Sequence, residues 1–194
     1  MLFWCLSHIL SNPALTETIR QEISEVPRLP NGAISVPDLE KSPILTAVWL
    51  ECLRIYNAAA FVRAAELPTT IGDKVIRPGD TILGPFVLMH MSTKIFGPDA
   101  LTWDHERWIR NKRLATTKGF YPFGGGHTYC PGRVLAKQEA FMFMAIVLEK
   151  FEMVPAEKRG KDGGWKVPGI SKEPALQTMD PSEDFLLKVT LRQS

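Results

Sequence analysis

The sequence predicts a mainly α-helical chain with small antiparallel β-sheets, an α+β architecture in one domain. Three observations predict it. Asn12-Pro13 and Ser42-Pro43 each place a short polar side chain before a proline, the pattern of a helix cap followed by the first helical residue. A further helical pattern covers 131–150, where Val134, Leu135, Phe141, Met144, Ala145 and Leu148 recur as a core-facing stripe. Between these patterns, Thr69-Thr70-Ile71 and Lys74-Val75-Ile76 flank Gly72-Asp73, a two-residue hairpin turn.

The remaining elements follow in order. Met1–Leu10 is apolar, too short to span a bilayer, and lacks the basic start and cleavage site of a signal peptide, so it reads as the end of a buried helix. Residues 14–25 are polar and helical until Pro27 and Pro30, and Asn31-Gly32 is a turn. A helix spans 43–55, a strand 60–65, a turn Pro78-Gly79, a strand 81–83 and a short helix 86–92. Residues 97–113 read as irregular and charged, and Gly160–Gly164 as a loop. Phe185, Leu187, Val189 and Leu191 alternate as in a half-buried strand. No repeat, low-complexity run or linker divides residues 1–194.

The chain has 194 residues, of which 45% are hydrophobic and 23% charged, a globular rather than a disordered balance. A net charge of +2 is too small to argue for a nucleic-acid partner. Cys5, Cys52 and Cys130 are an odd set without close pairing, which speaks against a disulfide framework and for a reducing compartment.

Two places carry chemistry. The helix at 43–55 has almost no polar face, yet Glu51 and Arg54 lie three apart on one side of it. Buried charges need partners, so the two should pair with each other and with a third group. The bland alternative is an exposed pair of little energetic weight. The second place is Phe123-Gly124-Gly125-Gly126-His127-Thr128-Tyr129-Cys130-Pro131-Gly132. With Pro131 as the first helical residue, Cys130 is the cap and sits at the positive end of the helix dipole, which favours a thiolate. The glycines let backbone approach a large flat ligand. Cys130 then reads as a soft-metal or haem-iron ligand, as a reactive thiol, or as an inert buried cysteine beside a glycine-rich hairpin. Cys5-x-x-His8 and His127-x-x-Cys130 could together supply a zinc set. Cys5 and His8, however, lie in an apolar helical run, where a packing role is the commoner one. His90 and His105 have no partner visible in the sequence and read as surface or packing residues.

Three signals stand in order: Glu51-x-x-Arg54, then Arg107, then Phe123-x-x-Gly126-x-x-x-Cys130-x-Gly132. Together they resemble the C-terminal half of a cytochrome P450, a haem-thiolate monooxygenase, over essentially the whole chain. The resemblance implies a truncated P450 fold that binds haem b (iron protoporphyrin IX) with Cys130 as axial thiolate. It places Phe123 beside the sulfur, Gly126 and Gly132 in the ligand loop, and Glu51, Arg54 and Arg107 in a structural charge triad. Arg63 resembles the arginine that pairs with a haem propionate, and residues 56–61 and roughly 175–180 would border the substrate pocket. The chain departs from the family pattern at Thr128, where arginine or histidine is usual, with His127 as a substitute one residue early. It departs again at Trp108, where phenylalanine is usual. Cys130-Pro131-Gly132-Arg133 resembles the branch that holds bile-acid hydroxylases and prostacyclin synthase.

The implied activity is insertion of one oxygen atom into an apolar small molecule, sterol- or lipid-like. Electrons would come from NADPH-cytochrome P450 reductase or another donor. The implied location of a complete enzyme is the cytoplasmic face of the endoplasmic reticulum membrane, with no anchor in this chain. Complete members are well over twice this length, so the resemblance sets residues 1–10 at the end of the long central helix. It sets the oxygen-activating residues and the membrane anchor before Met1. The competing expectation is a catalytically inert, truncated haem-binding fragment.

Overall fold

In the computed structural model, which describes residues 1–156, 166–184 and 186–192, the core is built by four helices. They are α1 (Leu2–Leu10), α2 (Pro13–Ser24), α4 (Pro43–Ile55) and α8 (Arg133–Lys150), with the short α3 (Val36–Leu39) against α8. Cys5 and Ile9 of α1, Ile19 of α2, Leu45 and Val48 of α4, and Phe141 and Leu148 of α8 are fully buried together. The expected loop at Gly160–Gly164 and the strand residue Phe185 lie outside the described residues.

Asn12 caps α2, its side chain accepting from the Leu15 N–H at 3.1 Å. Ser42 makes no such bond at α4. The Glu22 carboxylate of α2 does that work instead, accepting from the Ile44 and Leu45 N–H groups at 2.8 and 3.1 Å. Burial raises the Glu22 carboxyl above its ordinary value, and these two bonds oppose the rise.

The strands form three antiparallel pairs among the described residues: β1 (Ala60–Ala64) with β4 (Thr81–Pro85), β2 (Thr69–Ile71) with β3 (Lys74–Ile76), and β5 (Phe151–Pro155) with β6 (Leu187–Leu191). The β2–β3 turn needs Gly72, whose φ is +62°. The helix expected at 86–92 is α5 (Phe86–His90), two residues shorter at its end, and a second short helix, α6 (Thr93–Phe96), follows it. The segment expected to be irregular holds α7 (Glu106–Arg110), and the Asp104 carboxylate accepts from the Glu106 N–H at 3.1 Å at its start.

α8 begins two residues later than expected, at Arg133, with Gly132 as its cap. The Gly132 carbonyl takes the first helical bond, from the Ala136 N–H at 2.9 Å, while the Arg133 guanidinium takes the Cys130 carbonyl at 3.1 Å. Cys130 is therefore outside the helix and is not its cap. Val134 and Leu135 are 51% and 59% exposed, and the buried stripe of α8 starts only at Ala140.

The strongest constraint lies inside α4. Glu51 and Arg54 are both inaccessible to solvent. Arg54 donates through Nε at 2.9 Å and Nη2 at 2.7 Å to the two Glu51 oxygens, a bidentate pair. Arg107 Nε (3.4 Å), Trp108 Nε1 (2.9 Å) and the Asp104 N–H (2.9 Å) complete the carboxylate's shell. Arg54 spends its remaining N–H groups on the carbonyls of His90, Ala100 and Thr102. Arg107 also holds the Phe96 carbonyl at 2.6 Å and the Asp99 carboxylate at 3.2 Å.

Two histidines are buried as neutral rings. His8 Nε2 lies 2.7 Å from the Tyr56 hydroxyl, and its ring stacks on Trp103 at 3.9 Å. Burial, and then His105, lowers its pKa from 6.5 to about 3. His90 is lowered from 6.5 to about 4 by burial and then by Arg54.

Two predictions follow from this interior. Glu51→Ala strips both arginines of their common partner and should destabilise the fold by about 3–5 kcal/mol, read by urea denaturation. His8 and His90 take up protons in the unfolded chain below about pH 6.5 but not in the folded one. Stability should therefore be complete above that pH and decline as pH falls from 6.5 towards the folded values of about 4 and about 3. A urea midpoint that stays flat between about pH 7 and pH 5 would contradict the neutral-burial assignment.

Candidate functional site

A cleft of about 810 Å³ opens where the C-terminal end of α4, the β1–β4 pair and the loop at 121–130 meet. That size is within the range of roughly 300–1,000 Å³ typical of organic-ligand sites. Its lining is mostly apolar and aromatic, with Trp49, Leu53, Phe61, Phe86 and Phe123 among the larger side chains. Cys130, half-buried, contributes to the wall.

Each element brings its side chains there for a local reason. Asn57, directly after α4, is 3% exposed; its Oδ1 accepts from the Ala59 N–H at 2.7 Å and so turns the chain into β1. β1 carries Phe61 and Arg63, with Arg63 paired in register to Ile82. Phe61 lies over Gly84 so closely that a Cβ on that glycine would sit 2.0 Å from its ring. Residues 57–59 and 177–178 meet through the Asn57–Thr178 bridge and the Ala58 N–H donating to the Gln177 carbonyl at 2.9 Å. The Trp4 indole holds the Met179 carbonyl at 2.7 Å.

The loop at 121–130 is closed on itself. The Gly124 N–H donates to the Tyr121 carbonyl at 3.2 Å, and the Cys130 N–H to the Phe123 carbonyl at 3.0 Å. Gly124 and Gly126 have φ of +76° and +63°, the left-handed region that suits glycine. Past the sulfur, the Arg133 guanidinium lies over the Tyr129 ring at 4.4 Å and fixes the exit of the loop.

The structure thus brings Cys130, Phe123, Gly126 and Arg63 to one cleft. Arg63 is exposed at the cleft, and its Nη1 donates to the Val62 carbonyl at 2.7 Å. His127 is exposed on a tight turn over Gly126–Thr128 and does not line the cleft. Gly132 caps α8, and a Cβ there would meet the Cys130 sulfur at 3.9 Å. Glu51, Arg54 and Arg107 stand together in the core, away from the cleft lining.

The alternative zinc set of Cys5, His8, His127 and Cys130 is not assembled. Cys5 faces Cys52, whose thiol burial pushes up, and His8 faces Tyr56. Among the described residues no three His, Cys, Asp or Glu side chains are placed to hold a metal. Asn57, within the expected pocket border 56–61, and His90, expected only as a surface or packing residue, also hold the loop of this region. Asn57 Nδ2 donates to the Pro122 carbonyl at 2.6 Å, and His90 Nε2 accepts from the Tyr121 N–H at 3.0 Å. The one hint in the sequence was a polar residue set at the end of a helix with no polar face. Among the described residues no helix is long and apolar enough to cross a membrane.

Comparison with known proteins gives the same frame. The family model described as Cytochrome P450 matches residues 1–175. A cytochrome P450 monooxygenase of Gibberella zeae is 28% identical, the match covering 94% of this chain and 37% of that protein. Cytochrome P450 7A1 of Sus scrofa is 29% identical over 98% of this chain and 42% of its own length. A self-sufficient cytochrome P450 monooxygenase of Oidiodendron maius is 32% identical over 75% of this chain and 14% of its own length. The chain therefore spans well under half the length of these relatives. A family match over nearly all of the chain, on a fold that gathers Cys130 and its loop at an apolar cleft, means that the chain belongs to the cytochrome P450 family.

Proposed function

We propose that this chain is the haem-binding part of a cytochrome P450 monooxygenase that oxidises an apolar small molecule, sterol- or lipid-like. The observation that carries the reading is Cys130, a half-buried sulfur at the wall of an apolar cleft within a self-closed glycine loop. The donor set suits a haem: a soft sulfur for the iron, aromatic faces for the porphyrin, and a cation at the cleft for a propionate. Gly124 and Gly126 keep side-chain bulk off the loop where a flat ring would lie.

In this reading Cys130 would hold the iron of haem b through its sulfur, which would supply electron density to it. Bound haem supplies the activation of dioxygen and the transfer of one oxygen atom, with electrons from NADPH-cytochrome P450 reductase or another donor. Phe123 shields the sulfur from water, which preserves its donor strength. Arg63 orients the ring through a propionate, and His127, exposed beside the loop, is a second hydrogen-bond donor available to it. Phe61, Ala60 and Thr178 bind the substrate's apolar body and keep water from the reacting end. The location that goes with this reading is the cytoplasmic face of the endoplasmic reticulum membrane.

Cys130→Ser should abolish the thiolate signature in the reduced carbon-monoxide spectrum of the haem-loaded chain, while the wild type shows it. A serine variant that kept the signature would sink the ligand assignment. Arg63→Gln removes the cation and should speed haem loss by roughly threefold to tenfold, a moderate effect because the group is exposed. Transfer of haem to an acceptor globin measures it, and an unchanged rate would remove Arg63 from the site.

A further inference from the structure

We propose that Asn57 and His90 are positioning residues that clamp the Tyr121-Pro122 dipeptide, one at each end, and so hold Cys130 where the ligand is needed. The inference rests on the haem-thiolate reading above and adds to it the means by which the loop is held.

The clamp is built from two buried side chains on different elements. Asn57 follows α4 and donates through Nδ2 to the Pro122 carbonyl at 2.6 Å. His90 ends α5 and accepts the Tyr121 N–H on Nε2 at 3.0 Å. Proline has no N–H, so its carbonyl is the one backbone group by which Pro122 can be held. Phe123, the next residue, receives the Cys130 N–H on its carbonyl at 3.0 Å. One peptide unit and one hydrogen bond thus separate the clamp from the sulfur-bearing residue.

Both arms are tied to the charge cluster. Asn57 lies three residues beyond Arg54, and the His90 carbonyl accepts from Arg54 Nη1 at 2.9 Å. The loop's entry is therefore referenced to the buried charge cluster, through the His90 carbonyl and through the end of α4. The His90 ring itself is not what packing alone would choose. Because Nε2 accepts, the proton of the neutral ring is on Nδ1. That nitrogen is buried without a hydrogen-bond partner among the described residues. A leucine or phenylalanine between Phe86 and Phe120 would bring no unsatisfied donor of its own. What the imidazole provides in return is the acceptor for Tyr121. Burial keeps the ring neutral near pH 7, so that acceptor is present there.

The test compares His90→Leu, His90→Gln, Asn57→Asp and a control, Ile23→Val, in the full chain. Glutamine places Oε1 near the position of Nε2 and can accept from Tyr121. Aspartate keeps an acceptor for the Ala59 N–H but loses the donor to Pro122. The first readout is amide hydrogen exchange at Tyr121 in the haem-free chain. It should rise roughly tenfold in His90→Leu and return to the wild-type rate in His90→Gln. The second readout is the fraction of haem-loaded chain with the thiolate carbon-monoxide signature. It should fall in His90→Leu and Asn57→Asp, recover in His90→Gln, and hold in Ile23→Val, which weakens the core without touching the loop. Should circular dichroism show His90→Leu unfolded, the contrast between Asn57→Asp and His90→Gln decides. Equal Tyr121 exchange in His90→Leu and wild type, or a full thiolate signature in either clamp variant, overturns the proposal. If the wild type itself shows no thiolate signature, the haem reading fails, and Tyr121 exchange still decides whether the clamp exists.

Discussion

One carboxylate sets the terms for much of this chain. Glu51 is inaccessible in the middle of an apolar helix, and an unpaired charge there would be costly. Five N–H donors converge on it, from Arg54, Asp104, Arg107 and Trp108. Three of those residues lie more than fifty residues along the sequence, in the short helix α7 and just ahead of it. Satisfying Glu51 therefore determines where that segment runs. Arg54 completes the arrangement by gathering the carbonyls of His90, Ala100 and Thr102, which no helix or sheet would otherwise use. A charge cluster here substitutes for secondary structure in ordering backbone.

The cluster and the cleft divide the labour. Opposite charges compensate each other within the core, and none of Glu51, Arg54 or Arg107 lines the cleft. The cleft is left apolar, with a sulfur in its wall and an exposed cation on β1. That separation allows a tightly determined interior beside a cavity with few polar groups of its own. α4 connects the two, carrying the charge pair along its length and leading into Asn57 at its end.

Much of this was legible because it is written locally. The Asn12 cap, the Gly72-Asp73 turn, the apolar periodicity of α4 and the oddity of Glu51 and Arg54 inside it are all short-range signals. What failed to show depends on competition or distance. The start of α8 moved from Pro131 to Arg133 because the Arg133 side chain takes the Cys130 carbonyl. Val134 and Leu135 match the helical period but precede the part of α8 that is packed over. β5 could not be read without β6, its partner far along the chain. The partners of His90 and Asn57 are 31 and 65 residues away, so neither contact leaves a trace in local sequence. Cys130 lay between: its loop alone admitted several readings, and the ordered company of Glu51, Arg54 and Arg107 narrowed them.

The three cysteines differ in a way that sequence could not rank. Cys5 and Cys52 are sealed in the core facing each other, and Cys130 is half-buried at the cleft. In the folded chain a water-borne electrophile meets one sulfur, and it is the one at the cleft wall. The molecule thus carries an intrinsic chemical reporter: whatever occupies the cleft shields that thiol, and whatever unfolds the core uncovers the other two.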